Sequence, residues 1–382
     1  MAEPMTTTTY SGHFLQHAGT DYLSALTGLR GVVALWVAIY HIRAYLHALL
    51  PGMPNELAQV IDSGFIGVDI FFLLSAFIMS HVYGGMFTRI TLTSYGYFLM
   101  LRLARIYPLH LLMLLAYGAA VLAFVMLGIK QPEPVERWSG LCFAESLILI
   151  QSWGFHDHSC FNGVAWSISV EWLAYLIFPF LVPLFARITS LRAALAGAVL
   201  ALAAMHAYFW SLGSGSTLAF LGFATVPRMA GSFIAGCFLY RAYLRLPAHR
   251  NAATIAVILG WAGLWATLVF DAKLWTAWFC ALLVLAHAGG TDPIGTQLSR
   301  PIGQYLGNIS YALYISHFAV VDVYVRLFRL ESLEQRPAWQ LVAILVLYLA
   351  VILGIATLLH RLVEIPARYW LGRLAKRMIS AP

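Results

Sequence analysis

Two basic side chains stand eleven residues apart in one apolar run, Leu29-Arg30-Gly31-Val32-Val33-Ala34-Leu35-Trp36-Val37-Ala38-Ile39-Tyr40-His41. On a helix that spacing falls within ~20° of three whole turns and rises ~16.5 Å, so Arg30 and His41 point the same way. An imidazole titrates near working pH and suits a general base. A guanidinium below it can hold a phosphate or a carbonyl. The competing reading is a hydrogen-bonded packing histidine and an arginine that snorkels to an interface. Other ionisable groups interrupt apolar runs in the same way. Asp69 lies in Gly64-Phe65-Ile66-Gly67-Val68-Asp69-Ile70-Phe71-Phe72, where it can orient an imidazole or pair with an arginine. Glu171 ends Asn162-Gly163-Val164-Ala165-Trp166-Ser167-Ile168-Ser169-Val170-Glu171. Counted inward from their helix ends, Glu171 and His41 both lie ~14 Å deep, so the carboxylate can reach the imidazole level. Arg102 and Arg105 share a helix face and offer two forked cations to phosphate groups, or serve as plain anchoring charges. His317, in Ser310-Tyr311-Ala312-Leu313-Tyr314-Ile315-Ser316-His317, reads first as a packing imidazole. His156-Asp157-His158-Ser159-Cys160 lacks further ligands at a recognised spacing and reads as an exposed polar loop; no metal is expected.

The elements that position these groups must be membrane helices. Of 382 residues, 61% are hydrophobic and only 10% charged, with a mean hydropathy of +0.79. Too few charges remain to cover a water-facing surface, and ionisable groups inside spans usually face a bundle interior or a watery cavity. The expected fold is an all-α polytopic membrane protein with ten crossings: Leu26–Leu50, Gly64–Tyr83, Tyr97–Gly128, Gly163–Ala186, Leu191–Ser211, Thr217–Tyr240, Ala252–Phe270, Leu274–Ala288, Gln304–Val325 and Trp339–Leu362. With the N-terminus in the cytoplasm, inside loops hold about twice as many Lys and Arg as outside loops, so both termini are expected inside. Leu141–Trp153 is apolar but short, and a full crossing there would invert every later loop. It is expected to be re-entrant from the outer side, lining a pocket. The division is a polar cytoplasmic segment over 1–23, a transmembrane domain over 24–363 and a basic cytoplasmic tail over 364–382. No cleavable signal peptide is expected. The four scattered cysteines, Cys142, Cys160, Cys237 and Cys280, predict no disulfide framework and no zinc site. The net charge of +7 is explained by anchoring charges as well as by an anionic partner; no nucleic acid is expected as a partner.

Taken in order, these motifs resemble the acyltransferase-3 family of membrane-bound O-acyltransferases. The resemblance rests on Arg30 with His41, Gly67-Val68-Asp69-Ile70-Phe71-Phe72-Leu73-Leu74-Ser75, Arg102 with Arg105, Trp166-Ser167-Ile168-Ser169-Val170-Glu171, and Ser310-Tyr311-Ala312-Leu313-Tyr314 with His317. Ala76 stands where the family usually has Gly, and Trp172 replaces a second Glu often found after Glu171. The resemblance implies a bacterial inner-membrane enzyme with a cytoplasmic acyl-CoA donor, acetyl-CoA or another short acyl-CoA, and a carbohydrate or glycosylated acceptor, without an appended extracellular hydrolase-like domain. His41 would be the catalytic histidine with Arg30 as its partner, and Arg102 and Arg105 would bind CoA. Asp69 and Glu171 would fix the imidazole and the acceptor. Asn162, Trp166, Ser167, Ser169 and His317 are the expected substrate-side residues. Membrane lipid is an expected partner, and self-association is left open. The same buried ionisable groups would also serve a proton-coupled transporter of a small polar or sugar-containing substrate, whose inverted repeats are not seen in the sequence, or a non-catalytic envelope scaffold.

Overall fold

A computed structural model describes residues 23–130, 134–213, 222–246, 250–290, 292–328 and 337–380. Nearly all of segment 1–23, Thr217 at the expected start of the sixth crossing, and Arg329 and Arg336 of an expected outer loop lie outside these. Among the described residues the fold is entirely helical, with fifteen α-helices joined by short 3-10 and π turns. They are α1 Ser24–His41, α2 Arg43–Leu49, α3 Asn55–Asp62, α4 Gly67–Tyr83, α5 Leu92–Met126, α6 Gly140–Leu147, α7 Trp166–Ala186, α8 Leu191–Ser211, α9 Thr225–Tyr243, α10 Arg250–Val269, α11 Thr276–Ala288, α12 Pro293–Leu298, α13 Pro301–Leu327, α14 Ala338–Leu359 and α15 Ile365–Ser380.

Eight segments are long and apolar enough to cross a membrane. The other two expected crossings are also helical: α11, with only 13 residues, and α13, whose apolar pattern is broken by Gln304, Asn308, His317 and Asp322. Large apolar side chains such as Leu200, Val346 and Leu358 stand exposed on the helix surfaces, where lipid rather than water would cover them. The expected first crossing is interrupted. Helix α1 stops at His41, where Ile42 closes a turn by donating its N–H to Ile39 O at 3.1 Å, and α2 resumes at Arg43.

Local chemistry explains several helix starts. Thr91 and Ser94 form a reciprocal capping box at α5, Ser139 caps α6, and Asp292 caps α12 with Pro293 in its first turn. Two apolar cores meet at α1 and α4. One is built with α5, α7, α13 and α14, the other with α8, α9, α10 and α11.

The tightest seam joins α1 to α13. A Cβ on Gly31 would come 2.5 Å from Gly307 N, and one on Gly307 would come 2.1 Å from Thr27 O, so backbones approach where only glycine fits. The two helices run parallel, because Arg30 meets Gly307 and Ser310 while His41 meets His317.

Segment 140–153 dips beside α5 and α7 as a helix and loop. Tyr107 OH donates to Leu147 O at 2.9 Å, and the ring of His110 meets Ser146 O at 2.8 Å. Both side chains come from the middle of the 35-residue α5. The expectation of no disulfide is corrected here: Cys142 and Cys160 are joined, whereas Cys237 and Cys280 are buried free thiols. A separation of 18 residues carries no sequence signature, but the dip folds the two ends of the segment together. The expected basic tail is helical: it forms α15, Ile365–Ser380, which packs along α5 with Met378 beside Gly96.

Candidate active site

A cavity of about 130 Å3 lies between α1, α4, α5, α7 and α13. Arg30, Arg102, Arg105 and Glu171 all line it. The sequence placed these four on three separate helices, and the fold brings them together. Arg30 donates from Nε to Ser310 Oγ at 2.9 Å and from Nη2 to Gly307 O at 2.8 Å. Arg102 donates to Tyr83 OH and rests over the Tyr83 ring at 4.6 Å. Its buried Nε has no hydrogen-bond partner among the described residues. Arg105 pairs with Glu364, which also accepts from His360 Nδ1 at 2.9 Å and lies 3.6 Å from Arg368. Glu364 sits in the π-helical turn His360–Glu364, at the junction the sequence reading took as the end of the membrane domain.

Glu171 does not meet His41. Its Oε1 accepts from Ser75 Oγ at 2.6 Å and from Tyr175 OH at 2.7 Å, so the expectation that it orients the imidazole is corrected. Equal depth along two helices does not give equal facing, and Glu171 turns toward α4 and Arg102. Asp69 is corrected in the same way, toward the alternative of an arginine pair. It is fully buried and takes two bonds from Arg228, at 3.0 Å from Nε and 2.6 Å from Nη2. Arg228 also donates to Phe65 O at 3.1 Å and faces the Trp166 ring at 5.4 Å. This pair braces α4 against α9.

The partner of His41 is His317. His317 Nε2 lies 3.2 Å from His41 Nδ1, and the ring centroids are 4.9 Å apart. His41 Nδ1 also faces Val37 O at 2.8 Å, and His317 Nδ1 faces Leu313 O at 3.2 Å. A carbonyl can only accept, so the neutral tautomers that satisfy these contacts carry their protons on Nδ1. The single Nδ1 proton of His41 is then shared between Val37 O and His317 Nε2, and the His41 Nε2 keeps a lone pair. Phe318 and Tyr40 pack edge-on against the imidazole at 5.3 and 4.9 Å. His317, read first as a packing imidazole, is fully buried and also touches the His41 ring directly.

Among the remaining candidates, Ser167 lines the cavity and pairs with Tyr314 OH at 2.7 Å. Ser169 does not line it. Ser169 Oγ donates to Leu149 O at 2.9 Å and accepts from Ser152 N at 3.1 Å, clamping the loop that follows α6. Asn162 is likewise structural, donating to Ile315 O at 2.8 Å and tying the start of α7 to α13. Trp166 stands between Phe72 and Arg228. Sequence reasoning missed Tyr83 and Glu364, whose contacts cross between distant helices, and Tyr175, whose i, i+4 spacing from Glu171 was the signal for it. Arg228, an arginine inside an apolar run, carried in the sequence the signal that a buried acid should face it.

The expected exposed loop 156–160 is half-buried. His156 Nε2 meets Glu145 Oε2 at 2.6 Å. Cys142, His156 and Cys160 bring donor atoms within 4.8 Å of one another, but the two sulfurs are bonded to each other and offer no thiolate to a metal.

The acyltransferase domain of the acyltransferase-3 family matches residues 23–361, nearly the whole helical unit. The chain belongs to this family. It is therefore an acyltransferase, and its apolar helices make it a multi-pass membrane protein. The chain is 29% identical over 375 residues to "Acyltransferase MdmB" of Streptomyces mycarofaciens, covering 92% of this chain and 93% of that one. Over 377 residues it is 22% identical to "O-acetyltransferase OatA" of Staphylococcus aureus, covering 91% of this chain but only 57% of the relative. A 107-residue stretch is 34% identical to "Protein 2 in picA locus" of Rhizobium radiobacter, covering 28% of this chain and 50% of that one. No solved structure matches the chain.

Proposed function

We propose that this acyltransferase carries a short acyl group, acetyl foremost, from cytoplasmic acyl-CoA to a hydroxyl of a sugar or glycoconjugate in the bacterial inner membrane. The observation that carries the reading is the pairing of α1 with α13. One helix pair supplies, at one level, an imidazole whose Nε2 is open in its Nδ1-protonated tautomer and, at another, Arg30, facing a cavity with two further arginines that His41 itself does not line. The printed name of the Staphylococcus aureus relative, an O-acetyltransferase, supports acetyl and oxygen as the group and the acceptor atom.

In this reading the acyl-CoA enters beside Arg102 and Arg105. The cavity is small, so it takes the pantetheine arm while the nucleotide stays at the inner mouth. The Arg102 guanidinium, with its unpartnered Nε, meets a phosphate or amide oxygen of the arm. His41 Nε2 takes the proton of the acceptor hydroxyl as that oxygen attacks the thioester carbonyl. The C–O bond forms, the C–S bond breaks, and the imidazolium returns the proton to the departing thiolate. His317 holds His41 in the tautomer that leaves Nε2 open. Glu171, held by Ser75 and Tyr175, balances the cationic cavity beside Arg102.

The test is free-thiol release from acetyl-CoA by membranes containing the wild type or His41→Ala, with envelope extract as acceptor. Release should require the extract and fall by ~10²–10⁴-fold in a folded His41→Ala. Undiminished release in that variant removes His41 from the chemistry. Binding of no acyl-CoA at all, with substrate flux across liposomes and no thioester cleavage, would instead favour a carrier. Ping-pong kinetics with label on His41 would make the imidazole an acyl carrier rather than a base.

A further inference from the structure

A second cavity, of about 190 Å3, opens between α5, α13 and the segment that precedes α6. Its walls differ in kind from the first. The Tyr117 and Trp138 rings are stacked, 28° from parallel with centroids 6.2 Å apart. Asp322 Oδ2 accepts from Tyr117 OH at 2.8 Å. Arg137 lies over the Trp138 ring at 4.4 Å, and its buried Nε has no hydrogen-bond partner among the described residues. Arg326 faces the Phe124 ring at 5.2 Å. Aromatic faces, one carboxylate and a guanidinium with an unpartnered Nε therefore share a single small space.

The wall is built rather than incidental. Phe161 N donates to Arg137 O at 3.1 Å, and Arg137 Nη2 donates to Phe161 O at 2.5 Å. Phe161 follows Cys160, which is bonded to Cys142. The disulfide thus fixes the segment that presents Arg137 and Trp138. The cavity shares α13 with the histidine pair. Asp322 is five residues beyond His317, or ~7.5 Å along the helix. Ala319, in the cavity wall, adjoins Phe318, whose ring meets His41.

This combination fits a sugar ring. The C–H face of a pyranose packs on flat aromatic surface. A carboxylate accepts from its hydroxyls, and a guanidinium donates to hydroxyl oxygens. A phosphate would suit the two arginines, but Asp322 would repel it. We propose that this cavity is the acceptor subsite, holding one glycosyl ring against Trp138 and Tyr117 with Asp322 and Arg137 on its hydroxyls, so that a neighbouring hydroxyl reaches His41. The purpose of the subsite rests on the transferase reading; its binding chemistry does not.

The test is saturation-transfer NMR on the full chain in detergent micelles, with maltotetraose, chitotetraose and a galacturonic acid trimer as probes. At least one should bind the wild type. Its affinity should fall tenfold or more in Asp322→Ala and in Trp138→Ala, and Trp138→Phe should recover most of the loss. Folding of each variant is checked by gel filtration. If none of the three binds, or both alanine variants bind like the wild type, the subsite is wrong. Binding that depends on these residues in a protein that never cleaves acyl-CoA would keep the subsite and overturn the transferase reading. Acyl transfer with sugar binding indifferent to them would do the reverse.

Discussion

Arg102 and Arg105 occupy one face of α5, yet their surroundings assign them different work. Arg102 is held by a phenol and two aromatic faces, and its Nε is unspent. Arg105 is committed to Glu364, a carboxylate that is 1% exposed and also receives His360. Removing Arg102 should therefore weaken donor binding, and removing Arg105 should weaken the fold. Arg102→Ala is expected to raise KM for acyl-CoA by about tenfold, the loss of roughly 1.4 kcal/mol of binding, with little change in unfolding temperature. Arg105→Ala leaves Glu364 buried with one cation fewer and should cost ~3–5 kcal/mol of stability. Thermal unfolding in detergent beside acyl-CoA kinetics checks both. Equal effects of the two variants on both readouts would show that the arginines act as one phosphate clamp. The residue types at the cavity were legible in the sequence because a charge in an apolar run needs a reason. Their partners were not. Nothing in the order of residues tells that Glu171 turns to Ser75 and Tyr175, or that Glu364 reaches Arg105 across 259 positions.

At the scale of elements, the α1–α13 seam decides whether the site exists. Arg30 and His41 were readable as neighbours on one helix face because a helical period is local. That α13 would lie parallel against that face depends on Gly31 and Gly307, whose meaning appears only when two backbones touch. The apolar runs gave all ten helices, because hydropathy is a property of each segment alone. The break at Ile42, the bond between Cys142 and Cys160 and the extension into α15 depended on packing and were not visible. The seam makes a separable prediction. Gly307→Ala places a methyl where Thr27 O would lie 2.1 Å away, and such overpacking costs ~1–3 kcal/mol. It should also displace Ser310 from Arg30 and His317 from His41, so that thiol release falls further than stability alone explains. Gly354→Ala is the control, since nothing lies within 4 Å of its new methyl. Unfolding temperature and thiol release should both be unchanged there. Matching losses in the two variants would mean that the close approach has no part in building the site.

For the molecule as a whole, two kinds of physics bear on orientation, and they agree. The excess of Lys and Arg favours both termini in the cytoplasm. That arrangement puts residues 140–162 outside, where the Cys142–Cys160 bond would meet an oxidising compartment. Cys237 and Cys280 are buried within α9 and α11 and stay reduced in either orientation. Counting thiols therefore tests the topology. Protein from wild-type membranes, denatured without reductant, should take up two maleimides per chain, and four after reduction. Made in cells that lack envelope thiol oxidation, it should take up four at once. The second culture separates a bond made on export from one formed by air during purification, which would leave two reactive thiols there as well. Four reactive thiols in unreduced wild-type protein would deny the bond, free the segment that carries Arg137 and Trp138, and leave the orientation resting on charge alone.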